Sequence, residues 1–147
     1  MHLLVINGPN LNLLGVRRPE VYGTTTLPEL EERCRAWGAA LGVEVETFQS
    51  NHEGAIIDRL HAALGSVDGV VFNPGALTYY SYALYDAIEA ISLPVVEVHI
   101  SDITRREEWR SRSVLSPACV ATINGRGLDG YREALELLAA RGQAPAR

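Results

Sequence analysis

The sequence predicts an α/β protein, a three-layer sandwich with helices on both faces of a parallel sheet. Two observations carry this expectation. Strand-like and helix-like patterns alternate five times within 147 residues, as repeated strand–helix crossovers require. The clearest strand-like runs, Leu3-Leu4-Val5-Ile6 and Gly69-Val70-Val71-Phe72, are short and wholly apolar, as in strands covered on both faces. Five such strands suggest the flavodoxin-like order 2-1-3-4-5, in which ligands sit beyond the carboxyl ends of strands 1 and 3.

The first strand falls near 2–7 and stops at the turn residues Asn7-Gly8-Pro9. About fifteen residues then precede the next helix signal, longer than the usual strand-to-helix link. Thr26 and Glu29 form a capping box. Leu27, Leu30, Cys34, Trp37 and Leu41 recur at helical spacing until Gly42. Val43 to Gln49 alternates as the second strand, and Ile56, Ile57, Leu60 and Leu64 mark a second helix. The third strand covers 69–73, and the next helix runs near 80–91. Pro94 opens a fourth strand, Val95 to Ile100, followed by a helical turn near 104–109. Ala118 to Ile123 reads as the fifth strand, and Tyr131, Leu135 and Leu138 lie on a last helix. The length suits one domain, 1–147, with 142–147 as a frayed tail.

Composition narrows the function. A net charge of −5 argues against nucleic acid as partner. No run of about 18 apolar residues exists to span a membrane, and the apolar start is too short for a signal peptide. Cys34 and Cys119 fall on apolar faces and read as buried free thiols, in keeping with a reducing cytoplasm. All 13 basic residues are arginine. Imine chemistry and the phosphate-loop motif both use a lysine. A carbonyl substrate would therefore be handled by proton transfer and electrostatics, with the N-terminal amine as the only amine nucleophile.

Polar residues collect at the predicted carboxyl ends. The loop after strand 1 carries Asn10, Arg17, Arg18 and Tyr22 and reads either as an active-site lid or as a plain surface loop. Tyr22 could act as a base only with its pKa drawn well below about 10, which a nearby cation such as Arg17 would do; a packing role is the alternative. Glu97 and His99, two apart on a strand, share a face. A carboxylate there fixes the imidazole's tautomer and favours its protonated form. The pair reads as an acid/base device, with a structural ion pair or a metal-like spacing as the other readings. The Ile100 and Ser101 amides suit a carboxylate ligand. In Thr104 to Arg112, TRREEWRSR, an anion-binding role competes with a solvated segment partnered by Glu107 and Glu108.

NGPNLNLLG (7–15), PEVYG (19–23), QSNHEG (49–54), NPGALT (73–78), VEVHIS (96–101), REEWR (106–110) and SVLSP (113–117) occur in this order. Together they resemble type II 3-dehydroquinate dehydratase, over residues 4 to 140. The resemblance implies dehydration of 3-dehydroquinate to 3-dehydroshikimate, a shikimate-pathway step, through an enolate. It implies Tyr22 as the base at C2, Arg17 as its activating cation, and His99, oriented by Glu97, as the acid at the C1 hydroxyl. Asn10 would hold a water at the enolate oxygen. Asn73, Ile100 and Ser101 would bind the carboxylate, and Arg110, Tyr79 and a neighbouring subunit's Asp86 the ring hydroxyls. It further implies trimers assembling to a dodecamer, with no cofactor and no metal.

The chain departs from the family pattern where substrate is recognised. Tyr79 stands for the usual histidine and Tyr80 for a threonine. Tyr85 stands where arginine is common, and Ala90 where an acid is frequent. Arg18 stands for a glutamate beside Arg17. Two alternatives follow: a paralogue using the same acid/base pair on a related cyclic hydroxy-ketone, or a non-catalytic flavodoxin-like binding module.

Overall fold

A computed structural model describes residues 1–143, and the side chains of all of these except Val21 and Tyr22. The predicted tail therefore falls mostly outside the described residues. The strands are β1 (His2–Asn7), β2 (Glu44–Gln49), β3 (Gly69–Asn73), β4 (Val95–His99) and β5 (Ala121–Asn124). They form one parallel sheet in the order β2-β1-β3-β4-β5, the predicted flavodoxin-like arrangement.

The helices are α1 (Pro19–Tyr22), α2 (Leu27–Ala40), α3 (Glu53–Ala63), α4 (Tyr82–Ile91) and α5 (Asp129–Gly142). Thr26 and Glu29 cap α2 reciprocally, as predicted. Side-chain alternation along the strands divides the interior into two cores. Leu3, Val5, Val71, Val96 and Val98 pack with Leu30, Tyr131 and Leu135 under α2 and α5. Leu4, Ile6, Val70, Phe72 and Val95 pack with Ile56, Leu60, Leu84 and Ile88 under α3 and α4. Burial pushes the Cys34 and Cys119 thiols up to about 12, so both are poor nucleophiles at neutral pH, and both are free. Among the described residues no helix is long and apolar enough to cross a membrane.

Three expectations need correction. Where the sequence offers no helix signal for about fifteen residues after β1, the structure holds a 3-10 turn at Leu11–Leu13 and the helix α1. The helix placed near 80–91 begins at Tyr82, because Ser81 caps it by accepting from the Leu84 amide. The fifth strand begins at Ala121 rather than Ala118. Pro117 opens a 3-10 turn over Ser116–Ala118, which leaves Cys119 outside the strand. An apolar run flanking a proline gives no sign of where pairing starts.

Candidate active site

The loops after β1 and β3 are pressed together at the switch point. A Cβ on Gly8 would meet the Pro74 carbonyl oxygen at 2.6 Å, so only glycine fits. Gly8 N–H donates to the Asn73 carbonyl at 2.8 Å. Gly75, at φ 59°, closes against the Pro9 carbonyl from the other side. Asn10 takes the left-handed conformation, φ 70°, which asparagine tolerates better than most residues. Its amide donates to Asn51 Oδ1 at 2.9 Å. Gln49 Nε2 bridges the Gly8 carbonyl and Asn51 Oδ1. The segment after β2 thus anchors the lid's base, a role visible in sequence only as part of QSNHEG.

A cavity of about 180 Å³ opens here. Its lining brings together Asn10, Arg17, Asn73, Tyr79, His99, Ile100, Ser101 and Arg110, all named from sequence, with Arg106 and Trp109 beside them. Asp86 is exposed on α4 and does not line it. Tyr22 lies on α1, and its side chain is outside the described residues. Arg18, also left-handed at φ 41°, pairs with Glu20 at 3.4 Å and lines an adjoining open cleft.

Glu97 and His99 share the α3/α4 face of β4. The glutamate is fully buried, and its Oε1 lies 3.0 Å from His99 Nε2. Four hydroxyls surround the carboxylate. Ser113 donates to Oε1 at 2.5 Å, and Thr78 lies 2.5 Å from the same oxygen. Ser116 and Thr122 donate to Oε2 at 2.6 and 3.2 Å. Thr122 stands beside Glu97 because the two are register partners on β4 and β5. Burial pushes the Glu97 carboxyl up. The hydrogen bond and charge of His99, with the Ser113 and Ser116 hydroxyls, outweigh this and hold it at about 2. A buried charge survives only with partners of this kind. With Nε2 committed to the carboxylate, Nδ1 is the ring nitrogen left for a ligand. Sequence reading missed the four hydroxyl residues, since isolated serines and threonines carry no spacing signal.

The recognition side is more committed than the sequence suggests. Arg110 forms a two-pronged ion pair with Glu107, with Nη2 to Oε1 at 2.8 Å and a second, shorter contact from Nε to Oε2. That guanidinium holds the Glu107 carboxyl down at about 2. Arg110 also lies 5.1 Å from the Trp109 ring, which in turn meets Tyr79 edge-on at 6.1 Å and 76°. Glu107 thus fulfils the solvated-partner reading while Arg110 still lines the cavity. Behind β4, Asn124 donates to Asp102 Oδ1 at 2.6 Å and accepts from the Ile103 amide at 3.0 Å, which fixes the loop carrying Ser101.

A buried carboxylate–imidazole pair beside three arginines, at the switch point of a flavodoxin-like sheet, is an arrangement suited to proton transfer on an anionic ligand. A family model described as dehydroquinase class II matches residues 1–139, and the chain belongs to the type II dehydroquinase family. It is 55% identical over 143 residues to the 3-dehydroquinate dehydratase of Bacillus pumilus, covering 97% of each chain. To catabolic 3-dehydroquinase 1 of Neosartorya fischeri it is 51% identical over 137 residues, 93% of this chain and 91% of that one. The crystal structure of type II dehydroquinase from Butyrivibrio crossotus matches with a TM-score of 0.92 at 47% identity, covering 94% of this chain and 97% of that one.

Proposed function

We propose that this protein dehydrates 3-dehydroquinate to 3-dehydroshikimate by stepwise elimination through an enolate. The observation that carries the reading is the fully buried Glu97 held 3.0 Å from His99 at the cavity wall, in a chain of the type II dehydroquinase family. Tyr22 takes the proton from C2, aided by Arg17. The electron pair moves onto the ketone oxygen, where Asn10 holds a water. Collapse of the enolate expels the C1 hydroxyl, which takes a proton from His99 and leaves as water. A proton leaves C2 and hydroxide leaves C1 as water with no net change of oxidation state, so the reaction calls for no electron carrier, and no metal is part of the proposal.

Asn73, Ile100 and Ser101 bind the carboxylate, while Tyr79 and Arg110 meet ring hydroxyls. Asp86, exposed on α4, serves the site of a neighbouring copy, in trimers that build toward a dodecamer. One observation favours a second reading, a related cyclic hydroxy-ketone as substrate. Tyr79 and Trp109 form an aromatic wall where the family motif usually carries a histidine.

The test is absorbance of the conjugated enone when purified protein meets 3-dehydroquinate. Steady formation supports the first reading. Absence of the chromophore across the pH range overturns it in favour of the second.

A further inference from the structure

Behind the cavity floor runs a second polar chain, of which the proposed chemistry uses only the Asn73 end. Asn7 and Asn73 are register partners at the carboxyl ends of β1 and β3, and alternation turns both toward α5. Tyr131 of α5 reaches between them and is fully buried. Asn73 Nδ2 donates to Tyr131 Oη at 2.8 Å, and the phenol donates onward to Asn7 Oδ1 at 2.6 Å. Asn73 Oδ1 accepts from the Gly75 amide at 3.1 Å.

These contacts leave Asn73 one orientation. Turning the carboxamide over would set its NH2 against the Gly75 N–H, donor against donor. With the oxygen fixed by Gly75 and one amide hydrogen by Tyr131, the second amide hydrogen is the one left for a ligand, and Asn73 lines the cavity. The far end of the chain is less well satisfied: Asn7 Nδ2 is buried with no hydrogen-bond partner among the described residues. An unsatisfied buried amide works against stability. Leucine at position 7 together with phenylalanine at 131 would extend the apolar core and avoid it, since the Tyr131 hydroxyl donates to Asn7. The network is thus complete at the Asn73 end and incomplete at the core end, the pattern expected if its use lies at the cavity.

We propose that Tyr131 is a positioning residue, which locks the Asn73 carboxamide so that its free amide hydrogen meets the carboxylate of a cyclic hydroxy-acid substrate. It never touches that substrate. The identity of the ligand group rests on the functional reading above; the locking of Asn73 does not.

Two measurements separate them. The first is hydrogen exchange of the Asn73 side-chain amide, followed by NMR in the intact protein without ligand. Slow exchange is expected in the wild type, with acceleration of about tenfold or more in Tyr131→Phe, because one hydrogen bond protects the group. Fast exchange in the wild type overturns the proposal even if Tyr131→Phe fails to fold, and whatever substrate the enzyme uses. The second is steady-state turnover of 3-dehydroquinate. Tyr131→Phe should raise KM about tenfold with kcat within about threefold and an unchanged pH profile. The double variant Asn7→Leu/Tyr131→Phe removes both buried partners and should recover thermal stability while KM stays high. A KM that stays at the wild-type value, or that returns together with stability, makes Tyr131 merely structural and sinks the idea. No turnover by the wild type would defeat the functional reading and leave the exchange experiment to decide.

Discussion

Glu97 Oε1 and His99 Nε2 lie 3.0 Å apart on one face of β4, the carboxylate fully buried and the imidazole at the cavity wall. The pairing sets a tautomer: Nε2 carries its proton toward the carboxylate, and Nδ1 is left for chemistry. Glu97→Gln keeps the shape and loses the charge. Its new NH2 would also face hydroxyls that now donate. Turnover of 3-dehydroquinate should fall by about a hundredfold, within the range of general acid–base catalysis. Steady-state kinetics at neutral pH checks this. A variant with wild-type kcat would show the pair to be structural.

The same carboxylate makes stability depend on pH. Its folded value, about 2, lies below its ordinary value of 4.5. A depressed acid stabilises the fold above its unfolded pKa, and that contribution is lost as pH falls through the folded value. Glu97 should therefore contribute on the order of 3 kcal/mol at neutral pH, lost progressively between about 4.5 and 2. Urea unfolding at a series of pH values should show this slope in the wild type and a flatter one in Glu97→Gln.

Ser116→Ala isolates one donor of the cage. Ser116 Oγ lies 2.6 Å from Glu97 Oε2, and its removal raises the carboxyl's folded pKa. Acid unfolding should begin at higher pH, with a loss of about 1–2 kcal/mol at neutral pH. Thr122→Val should do less, because its contact is longer at 3.2 Å. Ser113→Ala is a poorer probe. Ser113 Oγ also accepts from the Leu115 and Ser116 amides, so its loss loosens the backbone too. Equal acid midpoints for wild type and Ser116→Ala would refute the cage's role.

The strands and the Glu97–His99 pair were legible because both rest on period, and the sheet order followed from the alternation of five strands with helices. Apolar runs identify buried strands, and an i, i+2 pair must share a face. What was illegible depends on packing between distant segments. Thr78, Ser113, Ser116 and Thr122 meet at Glu97 from three separate stretches, and nothing in their spacing announces it. Asn51 and Gln49 hold the lid from β2 in the same way. The start of β5 was misplaced because an apolar run looks alike inside and outside a ladder. Arg110 shows the converse: its charge was obvious, but its engagement with Glu107 and Trp109 is a matter of geometry.

The lid should separate chemistry from folding. Tyr22→Phe removes only a hydroxyl and keeps the ring, and α1 is started by Pro19 at its first position. Thermal stability should change far less than turnover, because the ring and its volume are kept. Turnover should fall by about a hundredfold or more. Calorimetry and the enone assay on one preparation make the comparison. Retained turnover would remove Tyr22 from the proposed role.

Tyr79 decides between the two substrate readings. Its ring meets Trp109 edge-on at 6.1 Å, and Trp109 is 70% exposed, so the pair contributes little core packing and mainly shapes the cavity wall. Tyr79→His restores the group usual in the family, shortens the reach of the polar atom and frees volume beside Trp109. If 3-dehydroquinate is the natural substrate and the tyrosine a weaker partner for its ring hydroxyl, KM should drop by about tenfold, the worth of one well-made hydrogen bond, with kcat little changed. If the wall is built for a different ring, the same substitution should leave KM for 3-dehydroquinate unchanged or raise it. Trp109→Ala provides the control. It removes the ring against which Tyr79 and Arg110 rest, at a stability cost of about 0.5 kcal/mol or less for so exposed a side chain. It should raise KM in a Tyr79 background and do so less after Tyr79→His, because only the tyrosine needs that ring to hold its position. Independent effects of the two substitutions on KM would show that Tyr79 and Trp109 do not act as a unit.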